Sequence, residues 1–88
     1  MAKTKFQYEI IQLVKAVRED KGFTQDDIAD ALKVTRGYIG QIESPNSPSR
    51  YTVDQLNSLA LYFKCSPKDF IPETPLKNNI PIKEKKKS

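Results

Sequence analysis

The chain has 88 residues, of which 38% are hydrophobic, so it is long enough for one small domain with a modest core. It contains no histidine, so the commonest general base and the commonest metal ligand are both missing. The single Cys65 cannot form an internal disulfide and is expected to be a small buried hydrophobe, the alternative being a redox sensor. No apolar run has the length of a signal peptide core or a membrane span. These features predict a cytoplasmic protein without a cofactor, a metal or an enzymatic activity.

The net charge of +4 belongs to the C-terminal end of the chain. Residues 1–73 contain ten lysine or arginine residues and ten aspartate or glutamate residues, so this part is neutral. Residues 74–88 contain five lysines and Glu84, which account for the whole net charge. We expect this basic tail to be disordered and solvated, with non-specific attraction to DNA through counterion release as the alternative for the lysines from Lys83 onward.

The first predicted helix has an apolar stripe and ends at the dipeptide Lys21-Gly22, where glycine takes the left-handed conformation. The stripe consists of Phe6, Ile10, Leu13, Val14 and Val17. A second helix follows Thr24, which is an N-cap candidate with Asp27 three residues later as an imperfect capping box. This second helix runs to about Leu32.

The third predicted helix, about residues 35–44, begins at the N-cap candidate Thr35 and keeps Ile39 and Ile42 inward. The segment SPNSPSR then predicts a loop, because it is rich in proline and serine. A fourth helix opens at Thr52, and a short fifth helix opens at Ser66 with proline in its first turn. Five short helices in residues 1–73 and a tail in residues 74–88 therefore predict an all-α domain.

Two short helices joined by Lys33-Val34 occupy the centre of this domain. The positions that carry a family pattern are Arg18, Gly22, Thr24, Gln25, Ile28, Ala29, Leu32, Val34, Thr35, Ile39, Ile42 and Glu43. With this spacing the chain resembles the Cro and phage-repressor type of helix-turn-helix, the XRE family, from about Leu13 to Phe70. The resemblance implies a compact five-helix, lambda-repressor-like domain whose third helix lies in the major groove of DNA while the second crosses the backbone.

The resemblance assigns base contacts to three positions of the third helix, Arg36, Gly37 and Gln41. Arginine can donate two hydrogen bonds to guanine O6 and N7, and glutamine can pair bidentately with adenine. The alternative for Arg36 and Gln41 is a solvated surface. Gly37 and Gly40 are unusual in a helix interior, where glycine costs roughly 0.5–1 kcal/mol relative to alanine. Either they allow the helix to approach the groove closely, or they are tolerated small residues.

Further positions are expected to contact the DNA backbone or the groove. They are Thr24, Gln25, Thr35, Tyr38, Gly40, Asn46, Ser47 and Arg50. For Gln25 the alternative is the ordinary polarity of a helix start, and for the residues of the loop it is an ordinary polar loop. Tyr38 either contacts a thymine methyl group or a phosphate, or packs at the helix edge. We expect the acidic side chains of the second helix to point away from DNA.

The resemblance also implies a structural ion pair between Arg18 and Glu43, which would fix the angle of the third helix without touching DNA. Two departures from the family pattern stand out. Lys33 occupies the turn position usually held by glycine, so the turn either holds a left-handed lysine at a cost of roughly 1–2 kcal/mol or has a slightly different geometry. Pro45 and Pro48 lie in the loop where a glycine is common, which puts the phosphate contacts of this loop in doubt.

The sequence thus predicts a DNA-binding transcriptional regulator that acts as a homodimeric repressor on a double-stranded operator. The alternative is a protein-interaction module, such as an antitoxin or a coactivator adaptor, that uses the same fold and binds its partner through the C-terminal tail. An enzyme is not expected, because the chain has no paired carboxylates with a supporting shell and no phosphate-binding glycine loop.

Overall fold

The computed structural model describes residues 3–82, and this part of the chain is all-helical apart from loops and one isolated bridge. Four α-helices and one 3-10 turn follow in order: α1 (Lys5–Asp20), α2 (Gln25–Leu32), α3 (Arg36–Glu43), α4 (Val53–Phe63) and the 3-10 turn Pro67–Phe70. The predicted all-α class is therefore confirmed. The fifth predicted helix is only a four-residue 3-10 turn. It begins at Pro67, and Pro72 follows two residues after its end.

The helices begin where short polar side chains can bind their free backbone amides. Thr24, Thr35, Thr52 and Ser66 are all N-caps whose side-chain oxygens accept from an amide two or three residues later, as predicted. The cap of α1 is Thr4, where Gln7 completes a capping box. This signal is also local, but the sequence prediction for α1 gave only its apolar stripe and its end, not its start.

Three of the helix ends need a left-handed residue. Gly22 follows α1 with φ +79°, as predicted from Lys21-Gly22. Lys33 after α2 and Lys64 after α4 both have φ 61° although neither is glycine. The amides after them close the helix ends, because Val34 donates to the Ala29 carbonyl at 2.9 Å and Cys65 to that of Ala60 at 3.0 Å. Of the two alternatives for the turn, the structure has the left-handed Lys33.

One core joins all the elements, since α2 packs on α3 and α4 while α1 packs on α3 and the 3-10 turn. Its buried side chains are Ile11, Val14, Ile28, Ala29, Ile39, Ile42, Tyr51, Leu56, Leu59, Ala60, Phe63 and Phe70. The predicted stripe of α1 is wrong in two respects: Phe6 does not belong to this core, and Ile11 takes the place of Leu13 in it. Both positions fit a helical period, so the choice depends on where α3 and the 3-10 turn pack.

Residues 78–82, here called the tail strap, pair with the N-terminal segment, in contrast to the predicted disorder. Lys5 donates its backbone amide to the Ile80 carbonyl at 3.0 Å, and Ile82 donates to the Lys3 carbonyl at 2.9 Å. The Phe6 amide donates to the Asn79 side chain at 2.9 Å. The first amides of a helix lack acceptors within the helix, and the strap supplies two. The lysines from Lys83 onward lie outside the described residues, so their part of the prediction stays open.

Candidate nucleic-acid interface

The helix α3 is anchored by one face and exposed on the other. Ile39 and Ile42 are fully buried in the core. Arg36, Gly37 and Gln41, the three residues expected to contact bases, are all exposed. The structure therefore brings these three residues together on one solvent-facing side of an eight-residue helix.

The two glycines of α3 have free space around them. A Cβ atom built on Gly40 would meet nothing within 4 Å, and one on Gly37 would meet only the Thr35 hydroxyl at 3.9 Å. Packing among residues 3–82 thus gives no reason for either glycine, and neither has the positive φ that would require one. Alanine would be the better helix former at both positions.

A buried ion pair holds the C-terminal end of α3 to α1. Arg18 donates from Nε and Nη2 to the two carboxylate oxygens of Glu43 at 3.2 and 3.1 Å, with both side chains less than a tenth exposed. The Nη1 atom of Arg18 also donates to the Phe23 carbonyl at 3.0 Å. This bidentate geometry fixes the angle between two planar groups as well as their distance.

Gln25 belongs to the same cluster. Its side-chain amide donates to Glu43 Oε1 at 2.9 Å. The first residue of α2 is therefore tied to the last residue of α3, and its amide nitrogen points to Glu43. The sequence predicts a phosphate contact for Gln25, and the structure adds this second role. The sequence does not indicate it, because Gln25 and Glu43 are 18 residues apart in the chain.

Arg36 has an acidic neighbour that the sequence did not predict. Its Nε atom lies 3.7 Å from a carboxylate oxygen of Asp26, and both side chains are about two-thirds exposed. Asp26 therefore lies beside the start of α3, next to its exposed face. The sequence had predicted that Asp26 points away from this face. An exposed pair of this kind contributes little to stability, so Arg36 can readily exchange this partner for another acceptor.

Three expected contact residues are already engaged in local structure. Thr24 and Thr35 use their hydroxyl oxygens as N-caps, accepting from Asp27 and Tyr38 at 3.1 and 3.0 Å. Tyr38 is half-buried and packs against the core, which favours the helix-edge role among the alternatives considered for it. The threonines still lie at the exposed starts of α2 and α3.

The loop after α3 is ordered by its own serines. The Asn46 amide donates to the Ser44 hydroxyl at 3.2 Å, and the Ser49 amide donates to the Ser47 hydroxyl at 3.2 Å. The side chains of Asn46 and Arg50 are exposed. Pro45 and Pro48 are therefore accommodated in a loop that still presents these two polar side chains to solvent.

Lys3 is a residue that the sequence analysis missed. Its side chain is 1% exposed, and its ammonium group donates to the carbonyl oxygens of Ile42 and Ser44 at 2.6 and 2.8 Å. Burial lowers the pKa of Lys3 below its ordinary value, and the positive charge of Arg50 lowers it further. No sequence signal marks such a lysine, because the contact spans about 40 residues of chain.

Tyr51 lies in the core next to the Arg18–Glu43 pair. Its hydroxyl oxygen is buried without a hydrogen-bond partner among residues 3–82. Burial raises the pKa of Tyr51, the negative charge of Glu43 raises it further, and Arg18 opposes the shift. Tyr51 thus contributes its apolar ring to the core, while its hydroxyl has no partner in this part of the chain.

Residues 3–82 contain neither a cluster of metal ligands nor a membrane-spanning helix. No group of three or more histidine, cysteine, aspartate or glutamate side chains is placed to hold a metal ion there. None of the helices in this range combines the length and apolar character needed to cross a membrane. Cys65 is half-buried against the core, and burial is the main cause that raises the pKa of its thiol.

The chain belongs to a helix-turn-helix domain family, which matches residues 11–73. This match confirms the resemblance at the level of the helix-turn-helix domain and includes α2, the turn at Lys33 and α3. No curated protein and no solved structure was found to match the chain. The family indicates a DNA-binding regulator and is typically non-enzymatic.

Proposed function

We propose that the protein is a sequence-specific transcriptional regulator, acting as a repressor, that places α3 in the major groove of double-stranded DNA. The observation that carries this proposal is the exposed face of α3. Arg36 and Gln41 supply bidentate donors and acceptors there. Between and beside them, Gly37 and Gly40 leave open space that no side chain of residues 3–82 fills.

Arg36 and Gln41 have separate roles in this proposal. Arg36 gives up its exposed contact with Asp26 and donates to guanine O6 and N7, and Gln41 pairs with the N6 and N7 edge of adenine. Gly37 and Gly40 let the helix backbone approach the groove wall. The buried ion pair between Arg18 and Glu43 keeps the angle of α3 constant while these contacts form.

Backbone contacts hold the domain in register on the duplex. The exposed starts of α2 and α3 carry Thr24, Gln25 and Thr35, and the free amides of a helix start suit a phosphate oxygen. Asn46, Ser47 and Arg50 lie in the loop after α3 and take the neighbouring phosphates. Tyr38 borders the same surface from its half-buried position.

One domain of this size reaches few base pairs, so useful specificity calls for two copies. A homodimer would place two α3 helices in major grooves about one helical turn apart, roughly 34 Å. The operator would then be palindromic. Repression would follow from occupancy alone, in the cytoplasm and without a cofactor.

A protein-interaction module is the second candidate, and exposed apolar side chains favour it. Ile80 on the tail strap is 49% exposed, and Leu61 on α4 is 74% exposed. A partner such as a toxin or a transcription factor would cover such residues. DNA binding that survives removal of the tail would favour the regulator over this candidate.

Selection of a binding site from a random DNA pool tests the proposed function. We expect a palindromic consensus, and we expect Arg36→Ala and Gln41→Ala each to cost about 1–3 kcal/mol on the selected duplex with relaxed preference at one position per half-site. Lys68→Ala is the matched control, because Lys68 is exposed in the 3-10 turn away from α3. Binding that follows only the salt concentration, without a consensus, would contradict the proposal.

A further inference from the structure

The C-terminal end of α3 is held by two independent attachments. One is the Glu43 side chain, which the Arg18 guanidinium binds from α1. The other is the backbone itself, where the Lys3 ammonium group binds the Ile42 and Ser44 carbonyls. The last carbonyls of a helix have no partner within the helix and carry its negative dipole end, so a buried cation at this point is a strong cap.

The tail strap holds the backbone of Lys3 in turn. Ile82 donates to the Lys3 carbonyl, and two residues later Lys5 donates to the Ile80 carbonyl. An isolated antiparallel bridge between Thr4 and Pro81 lies between these two bonds. The N-terminal segment is therefore fixed on both sides of Thr4 before α1 begins, with the Lys3 side chain directed to the end of α3.

We propose that Lys3 is a positioning residue for α3 and that the tail strap keeps Lys3 in place, so that residues 78–82 affect the DNA affinity of α3 through Lys3. This proposal rests on the proposed function. Lys3 is too deeply buried to reach a phosphate, so its effect passes through the angle and order of α3. Burial of the Lys3 ammonium group without the two carbonyls at the end of α3 would be strongly unfavourable. The position of the side chain therefore depends on α3, and the position of the Lys3 backbone depends on the strap.

Amide hydrogen exchange tests this coupling without DNA. We expect Lys3→Met, and separately a chain ending at Lys77, each to speed exchange in the last turn of α3 roughly tenfold or more, with α4 unchanged. The double variant should exchange no faster than the single ones, because both changes remove the same attachment. Unchanged exchange in α3, an equal rise in every helix, or additive effects would each overturn the proposal.

Two matched variants separate the strap from charge. A chain ending at Ile82 loses the same C-terminal charges as the chain ending at Lys77 but keeps the strap, and Lys5→Met removes an exposed lysine two residues from Lys3. Both should exchange like the wild type. If the chain ending at Ile82 behaves like the one ending at Lys77, the strap is not the device that holds Lys3.

Titration of the selected duplex then connects Lys3 to DNA, at a temperature where every variant is folded. Lys3→Met should weaken binding about three- to tenfold with an unchanged salt slope, whereas loss of a phosphate contact would lower that slope by about one. A lower slope, or an unchanged affinity despite faster exchange, would overturn the proposal. If the wild type itself binds no duplex, the proposed function fails, and the exchange experiment still decides the role of Lys3 in positioning α3.

Discussion

Tyr51 is a core residue whose buried hydroxyl has no hydrogen-bond partner among residues 3–82. A buried hydroxyl without a partner costs about 1–3 kcal/mol. We therefore expect Tyr51→Phe to keep the fold and to raise the free energy of unfolding by up to about 1 kcal/mol, measured by urea denaturation at neutral pH. Tyr62→Phe is the control, since Tyr62 is 38% exposed at the edge of an aromatic cluster and should change little.

The same residue predicts a dependence on alkaline pH. Because the pKa of Tyr51 is raised in the folded state, the unfolded chain releases the phenolic proton first as the pH passes about 10. The unfolded state then binds fewer protons than the folded state, so Tyr51 lowers stability as pH rises. The advantage of Tyr51→Phe should therefore grow between about pH 9 and pH 11. A destabilised Tyr51→Phe variant would instead mean that the hydroxyl is well bonded.

At the scale of single residues, local roles were predictable from the sequence and distant ones were not. Thr24 and Thr35 were assigned as N-caps because the backbone amides that donate to their hydroxyl oxygens lie three residues away. The pairing of Arg18 with Glu43 came from the family resemblance and not from the residues. Lys3 and Asp26 were missed, since their contacts depend on how separate elements pack.

At the scale of the element, we expect Gly40 to lower the stability of α3 and to strengthen its binding to DNA. Gly40→Ala should raise the free energy of unfolding by about 0.5–1 kcal/mol, because alanine is the better helix former and its methyl group meets nothing within 4 Å. The same change should weaken binding to the selected duplex, since the methyl group would lie between the helix and the groove. Thermal unfolding and titration of one protein sample measure both effects.

A helix position away from the exposed face of α3 serves as the control for this element. Ser58 is exposed on α4, so Ser58→Ala should raise stability slightly through helix propensity and leave DNA affinity unchanged. If Gly40→Ala behaves in the same way as Ser58→Ala, close approach to DNA is not the reason for the glycine. Gly40 would then be a tolerated small residue.

The limits of the element predictions have physical causes. Helix starts and stops were predictable because caps, prolines and left-handed residues act within a few positions. The predicted stripe of α1 contained Leu13 in place of Ile11, because both residues fit the helical period. Only packing against α3 and the 3-10 turn decides which of them is buried in the core. The tail strap was missed because its bonds use backbone groups at the start of α1, which any sequence could supply.

At the scale of the whole molecule, the net charge of +4 lies in residues 74–88, so residues 1–73 supply little general attraction to DNA. Residues 1–73 carry equal numbers of positive and negative side chains. In the proposed function, specific contacts therefore depend on where individual charges lie, with Arg36 at the start of α3 and Arg50 in the following loop. This arrangement favours selectivity over non-specific affinity, because few phosphates are neutralised by the folded part.

Single substitutions of guanine by 7-deazaguanine in the selected duplex test most directly whether α3 lies in the major groove. This base keeps Watson–Crick pairing but lacks the N7 acceptor of the major groove. We expect the wild type to lose about 1–2 kcal/mol of binding free energy at one guanine in each half-site. Arg36→Ala should bind the normal and the modified duplex equally. Equal losses for both proteins, or no loss at any guanine, would contradict the placement of Arg36 and α3 in the groove.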